Sequence, residues 1–101
     1  MRELFVTRAA EADLLESWSY LFEKSTGAAE KILDEITDQF DVLCEFPFIG
    51  RRREEFGSTY RSFPVAGHVI YYRVSDTKIE ISRVLHGSRD YTGLFSSDLE
   101  M

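Results

Sequence analysis

The chain has 101 residues, 44% of them hydrophobic and 14% aromatic, enough for a single packed domain spanning 1–101 and too apolar for a disordered segment. Its formal net charge is −6, and residues 1–60 carry all of it, with 13 acids against 7 bases, whereas residues 61–101 balance five against five. Such a chain repels phosphate backbones, so no direct sequence-specific nucleic-acid binding is expected, and any phosphate contact would have to draw on Arg51–Arg53 or on Arg61, Arg73, Arg83 and Arg89.

Leu4-Phe5-Val6 is a short run of strand formers and predicts an opening strand. Thr7 follows as an N-cap, since its hydroxyl can accept from an otherwise orphaned amide of a first helical turn. From Arg8 to about Lys24, Leu14, Leu15, Trp18, Leu21 and Phe22 recur at helical spacing, with Glu11, Asp13 and Glu16 expected to face solvent. Ser25-Thr26-Gly27 breaks this helix and can cap the next one. There Ala29, Ile32, Leu33, Ile36, Phe40 and Leu43 form one face, as far as about Cys44 and short of Pro47. The short connection makes the two helices an antiparallel hairpin.

Residues 46–58, FPFIGRRREEFGS, read as the longest irregular stretch, with the arginine run on a solvated loop. Three strands follow. Tyr60 to Val65 is the first, marked by Pro64 as an edge or a bulge. His68 to Val74 is the second, joined to it by the tight Ala66-Gly67 connection, and Lys78 to His86 is the third. In the third strand Ile79, Ile81 and Leu85 are expected on one face, with Glu80, Ser82 and Val84 on the other. Hairpin-short connections make this part of the sheet antiparallel. The order strand, helix, helix, three strands predicts an α+β domain: a short N-terminal strand and a helical hairpin packed on a mainly antiparallel sheet. Trp18, Ile36, Phe40, Ile70 and Ile81 are its expected core.

The chemistry such a chain can carry is narrow. Cys44 is the one cysteine, so neither an internal disulfide nor a thiolate metal site is available, and it reads as a small buried hydrophobe. His68 and His86 lie on different strands without metal-ligand spacing, and no phosphate loop, dinucleotide fingerprint or nucleophile elbow is present. No metal or other cofactor is expected. No stretch approaches the ~20 apolar residues of a membrane span, and the N-terminus lacks an apolar signal core. A cytoplasmic protein without membrane contact is the expectation.

One constellation remains. RVLHGSRDY, Arg83 to Tyr91, places Arg83, His86, Arg89, Asp90 and Tyr91 in nine residues. Together with Arg61, His68 and Arg73 it could in principle serve phosphodiester transfer, one group taking a proton from a ribose hydroxyl and an arginine steadying the phosphorane. Spacing alone favours the plainer reading, in which strand arginines pair with acids and His86 packs at a sheet end.

These segments resemble the ParE toxins of bacterial toxin–antitoxin modules, within the wider RelE/ParE superfamily. The resemblance rests on Phe46-Pro47 with Gly50, on Arg61, Phe63, Pro64, His68, Ile70, Tyr72 and Arg73, and on Arg83 to Asp90 with Leu94-Phe95. The opening Thr7, Ala10, Asp13, Leu14, Trp18 and Tyr20 match as well. It implies a non-enzymatic toxin that inhibits DNA gyrase by holding the gyrase–cleaved DNA complex. It also implies neutralisation by a ParD-like antitoxin in a hetero-oligomer. The RelE branch instead cuts messenger RNA on the ribosome with basic residues and a C-terminal tyrosine. In this chain His68 stands where that branch has a catalytic arginine, and Gly87 and Ser88 stand where it has consecutive bases, so the resemblance implies no catalytic residue. Arg83, His86, Arg89, Asp90 and Tyr91 are then expected to contact the target, and His68 and Arg73 to be remnants of a catalytic site. The alternatives are a ribosome-dependent endonuclease using Arg83, His86 and Tyr91, or a member that has lost toxicity and only binds an antitoxin. On this reading Arg83→Ala should lower toxicity without unfolding the protein.

Overall fold

The structure, a computed structural model, describes residues 1–87. Its elements follow the expected order with one addition. Strand β1 (Glu3–Val6) leads into helix α1 (Arg8–Lys24) and helix α2 (Thr26–Glu45). The two-residue strand β2 (Arg51–Arg52) precedes β3 (Tyr60–Val65), β4 (His68–Val74) and β5 (Lys78–His86). The five strands form one sheet in the order β1-β5-β4-β3-β2. The β3-β4-β5 meander is antiparallel, and β1 joins β5 in parallel after the chain has crossed the sheet through the helical hairpin.

Side-chain caps set the helix boundaries. Thr7 is extended and its hydroxyl accepts from the Ala10 amide at 3.1 Å. Ser25 serves both helices: its backbone N–H donates to the Leu21 carbonyl at the end of α1, and its side-chain oxygen accepts from the Ala28 amide at the start of α2. One extended residue therefore reverses the chain while satisfying an otherwise orphaned group at each of the two helix ends.

Helix α2 buries Ala29, Ile36, Phe40, Leu43 and Cys44 against Ile70 and Tyr72 of β4 and Ile79, Ile81 and Val84 of β5. This is the main core, and the predicted residues Ile36, Phe40, Ile70 and Ile81 belong to it. Trp18 does not. It is half-buried and stacks on Phe22 at 4.7 Å between ring centroids. Leu15 is 66% exposed, whereas Asp13 is buried. Helix α1 is thus turned relative to the expected face. It presents Ala10, Asp13, Leu14, Ser17 and Leu21 inward, at spacings of one to four that also fit a helix.

The third strand likewise departs from its expected alternation. The β4–β5 register runs Tyr71↔Arg83 and then Tyr72↔Ile81, so Ser82 is an extra residue in a bulge. A one-residue insertion reverses the facing of everything beyond it. Val84 therefore joins Ile79 and Ile81 under the helices, and Leu85 goes to the opposite face, with Phe56, Tyr60 and Tyr71. The irregular stretch 53–57 covers that second face. Phe56 meets Tyr71 edge-on at 5.8 Å, and the Arg53 guanidinium lies over both rings.

The motif Pro47…Gly50 is explained by one buried phenol. Tyr72 Oη donates to the Pro47 carbonyl at 2.8 Å and accepts from the Gly50 N–H at 3.0 Å. A Cβ on residue 50 would fall on that hydroxyl and 2.8 Å from the Ser62 carbonyl oxygen, so only glycine allows the approach. Arg61 adds two bonds, to the Phe48 and Gly50 carbonyls. Burial raises the Tyr72 pKa above its ordinary value, partly offset by the Gly50 hydrogen bond and by Arg61.

Candidate functional site

The end of β5 beyond Ile81 shapes the site. Strand β1 pairs with β5 only as far as Val6↔Ile81, so past that point β5 would be a bare edge. Polar groups of the α1 entry take over in sequence. The Thr7 amide donates to the Ile81 carbonyl at 3.1 Å, and its hydroxyl lies 3.0 Å from the Ile81 and Ser82 carbonyls. Asp13, one and a half turns on, accepts from the Val84 amide at 3.0 Å. The same carboxylate receives Arg83 in a two-point fork, Nε at 2.8 Å and Nη2 at 2.9 Å. The pair is nearly dry, with side-chain exposures of 16% for Arg83 and 7% for Asp13. A buried carboxylate needs this many donors, which is why an acid occupies an inward position of α1.

Beside the pair lies a cleft of about 410 Å³ between α1 and the ends of β4 and β5. His68 and His86 sit directly opposite in the ladder, with ring centroids 5.6 Å apart. His68 Nδ1 is 3.0 Å from the Ala66 carbonyl, and its Nε2 is 3.1 Å from Ser17 Oγ. A backbone carbonyl can only accept. The Nδ1 therefore carries the proton, and Nε2 receives the Ser17 hydroxyl in the neutral ring. Ala66 supplies that carbonyl from a left-handed conformation, φ 50°, followed by Gly67 at 75°. This is the backbone sign pattern of a tight hairpin turn.

The structure thus brings together His68 and His86, holds Arg83 on Asp13 at the edge of their cleft, and leaves Arg73 apart. Arg73 pairs with Glu80 at 3.1 Å and lies over the Tyr60 ring, a member of the second apolar cluster across the sheet from the helices. Arg89, Asp90 and Tyr91 lie outside the described residues. Asp13 and Ser17 belong to the cleft and escaped the sequence reading. Their signal was a polar pair four apart, aligned with Ala10 and Leu21, which looks like an ordinary exposed stripe until β5 is laid against it. Arg83 neutralises a buried carboxylate, so Arg83→Ala is now expected to disturb the fold as well as any contact with a target.

Arg83 to Gly87, Gly50 under Tyr72, and the helix-capping Thr7 are the positions that carried the likeness noted in the sequence. A family model described as the ParE toxin of the type II toxin–antitoxin system parDE matches residues 4–91. The chain belongs to the ParE toxin family. Toxin ParE1 of Caulobacter vibrioides is 32% identical over 89 residues, covering 87% of this chain and 92% of that protein. Toxin RelE3 of the same organism is 28% identical over 87 residues, covering 85% and 95%. Among solved structures, the chromosomal ParDE toxin–antitoxin system from P. aeruginosa superposes with a TM-score of 0.71 at 25% identity, over 85% of this chain and 96% of that one. The chain shares the fold of that ParDE structure, and in this chain Asp13, paired with Arg83, covers the strand edge that β1 leaves open.

Proposed function

We propose that this ParE-family toxin acts on DNA gyrase as a non-enzymatic inhibitor, in the cytoplasm, and that a ParD-like antitoxin neutralises it. The family match across residues 4–91 carries the reading. The placement of the cations supports it against a nuclease. Phosphodiester cleavage needs a cation poised on the phosphorane beside a general base. Here Arg83 is held by Asp13, Arg73 is paired with Glu80 elsewhere, and both ring nitrogens of His68 have internal partners.

The helical hairpin offers the antitoxin a surface. Leu15 and Phe22 are exposed, and Trp18 stacks on Phe22 beside them. Their spacing of three and four lines one outer face of α1 with apolar side chains, the kind of stripe an amphipathic segment covers. Gyrase supercoiling and DNA-cleavage assays with the purified, antitoxin-free chain test the proposal. Loss of supercoiling with accumulated linear DNA is expected. Untouched gyrase from folded protein refutes the target assignment. Cleavage of messenger RNA on translating ribosomes would then establish the alternative that the RelE3 relative suggests, and inactivity in both assays would mark an antitoxin-binding member without toxicity.

A further inference from the structure

The −6 chain concentrates an unusual combination at the C-terminal end of α2: exposed apolar side chains beside arginines that the fold holds still. Phe46, Phe48 and Ile49 are 54%, 59% and 48% exposed. The guanidinium carbons of Arg61 and Arg2 lie 5.1 and 5.4 Å from the Phe48 ring centroid. Arg61 is fixed by Nη1 bonds to the Phe48 and Gly50 carbonyls at 3.2 and 2.8 Å. Arg2 is fixed by its Nε bond to the Ser75 carbonyl at 2.7 Å.

This arrangement leaves the remaining guanidinium donors, Nε and Nη2 of Arg61 and both Nη of Arg2, without a protein partner among the described residues. A guanidinium presents its donors as a rigid fork that matches a carboxylate. One already anchored at its other nitrogens loses little further freedom on binding. The aromatic and aliphatic surface between them is of the kind that anchors a partner's apolar side chains.

We propose that Arg2, Phe46, Phe48, Ile49 and Arg61 form a docking surface for an acidic protein segment that alternates carboxylates with leucine-like side chains. An extended nucleic acid fits less well. The outer face of α2 carries Glu30, Asp34, Asp38, Asp41 and Glu45, all exposed and three or four residues apart, and this line of acids runs up to the patch. A polyanion longer than the patch would meet it and be repelled, whereas a short acidic segment is matched by the arginines and then ends. The surface is separate from the cleft and from the α1 stripe, and the inference does not depend on gyrase being the target.

The test is direct binding to the full chain, followed by fluorescence anisotropy. The probes are a labelled peptide alternating glutamate and leucine, the same peptide with lysine for glutamate, one with serine for leucine, and a short oligothymidine. The glutamate–leucine peptide should bind best, and Phe48→Ala combined with Arg2→Glu should weaken it by roughly tenfold or more with a nearly unchanged thermal melt, since the one bond lost, to the Ser75 carbonyl, is exposed. The variant avoids Arg61, whose bonds hold the 48–50 loop. Equal binding of the lysine peptide, tighter binding of oligothymidine, no binding at all, or an affinity unmoved by the double substitution would each overturn the proposal. Gyrase inhibition measured on the same variant keeps the two readings apart, since loss of peptide binding with wild-type inhibition confirms the surface and leaves the target assignment standing.

Discussion

Removing Arg83 should cripple the fold before it touches any function. Asp13 is 7% exposed and accepts three hydrogen bonds, two from Arg83 and one from the Val84 amide. Arg83→Ala leaves that carboxylate with one donor in a nearly dry site. Breaking a buried pair from one side costs roughly 3–5 kcal/mol, against a total of about 5–15 kcal/mol for a typical domain. At about 4–8 °C per kcal/mol for a chain of this size, the melting temperature should fall by roughly 12–40 °C. The informative comparison is a double-mutant cycle. Asp13→Leu with Arg83→Met removes both charges and replaces them with apolar volume, leaving only the Val84 amide unpaired at roughly 1–3 kcal/mol. The double variant should therefore be more stable than Arg83→Ala and far from additive. Circular-dichroism melts and urea titrations of the wild type, each single variant and the double measure this. A shift of only a few degrees for Arg83→Ala, or additive single effects, would show that the pair is ornamental and that the β5 edge is held by something else.

Gly50→Ala should destabilise by roughly 1–3 kcal/mol, because its Cβ collides with Tyr72 Oη and the Ser62 carbonyl; a wild-type urea midpoint would disprove the close approach. Tyr72→Phe should cost roughly 1–3 kcal/mol for each of the buried Pro47 carbonyl and Gly50 amide groups it leaves unpaired. Tyr72 and Tyr71 both have folded pKa values raised above the ordinary 10.0, chiefly by burial. Above pH 10 the unfolded chain loses these protons first, so stability is complete below pH 10 and falls as pH rises toward the folded values; unfolding titrations on either side of pH 10 should show the fall, and Tyr72→Phe should lessen it. Trp18→Ala loses its stack on Phe22, worth about 0.5–1.5 kcal/mol beyond the area it buries, and a half-buried ring, and should cost less than Ile36→Ala, which is fully buried and should cost roughly 2–5 kcal/mol. Parallel melts of the two variants decide whether α1 is turned as described, and an equal loss for both would refute it.

Local signals alone determined the element order of this protein. Thr7 and Ser25 cap because their side chains satisfy the amides of their own first turns, the α2 stripe repeats at a helical period, and Ala66-Gly67 closes a hairpin from backbone preference; each of these needs only neighbours in the chain. The motif residues Pro47, Gly50 and Tyr72 were legible as a pattern, but their reason was not, since a phenol 22 residues from Gly50 supplies it. Tertiary structure decided the rest. Which face of α1 turns inward depended on where β1 stops: β5 loses its neighbour at Ile81, and an acid at position 13 has to meet the bare Val84 amide and Arg83. The Ser82 bulge exchanged Val84 and Leu85 between faces, because a one-residue slip in the ladder reverses every side chain after it without changing the hydrophobic content of the strand. The fate of the arginines was settled the same way, since a guanidinium's partner lies about 70 residues away for Arg83 and about ten away for Arg61, and no local pattern distinguishes a cation buried against a carboxylate from one held open on the surface.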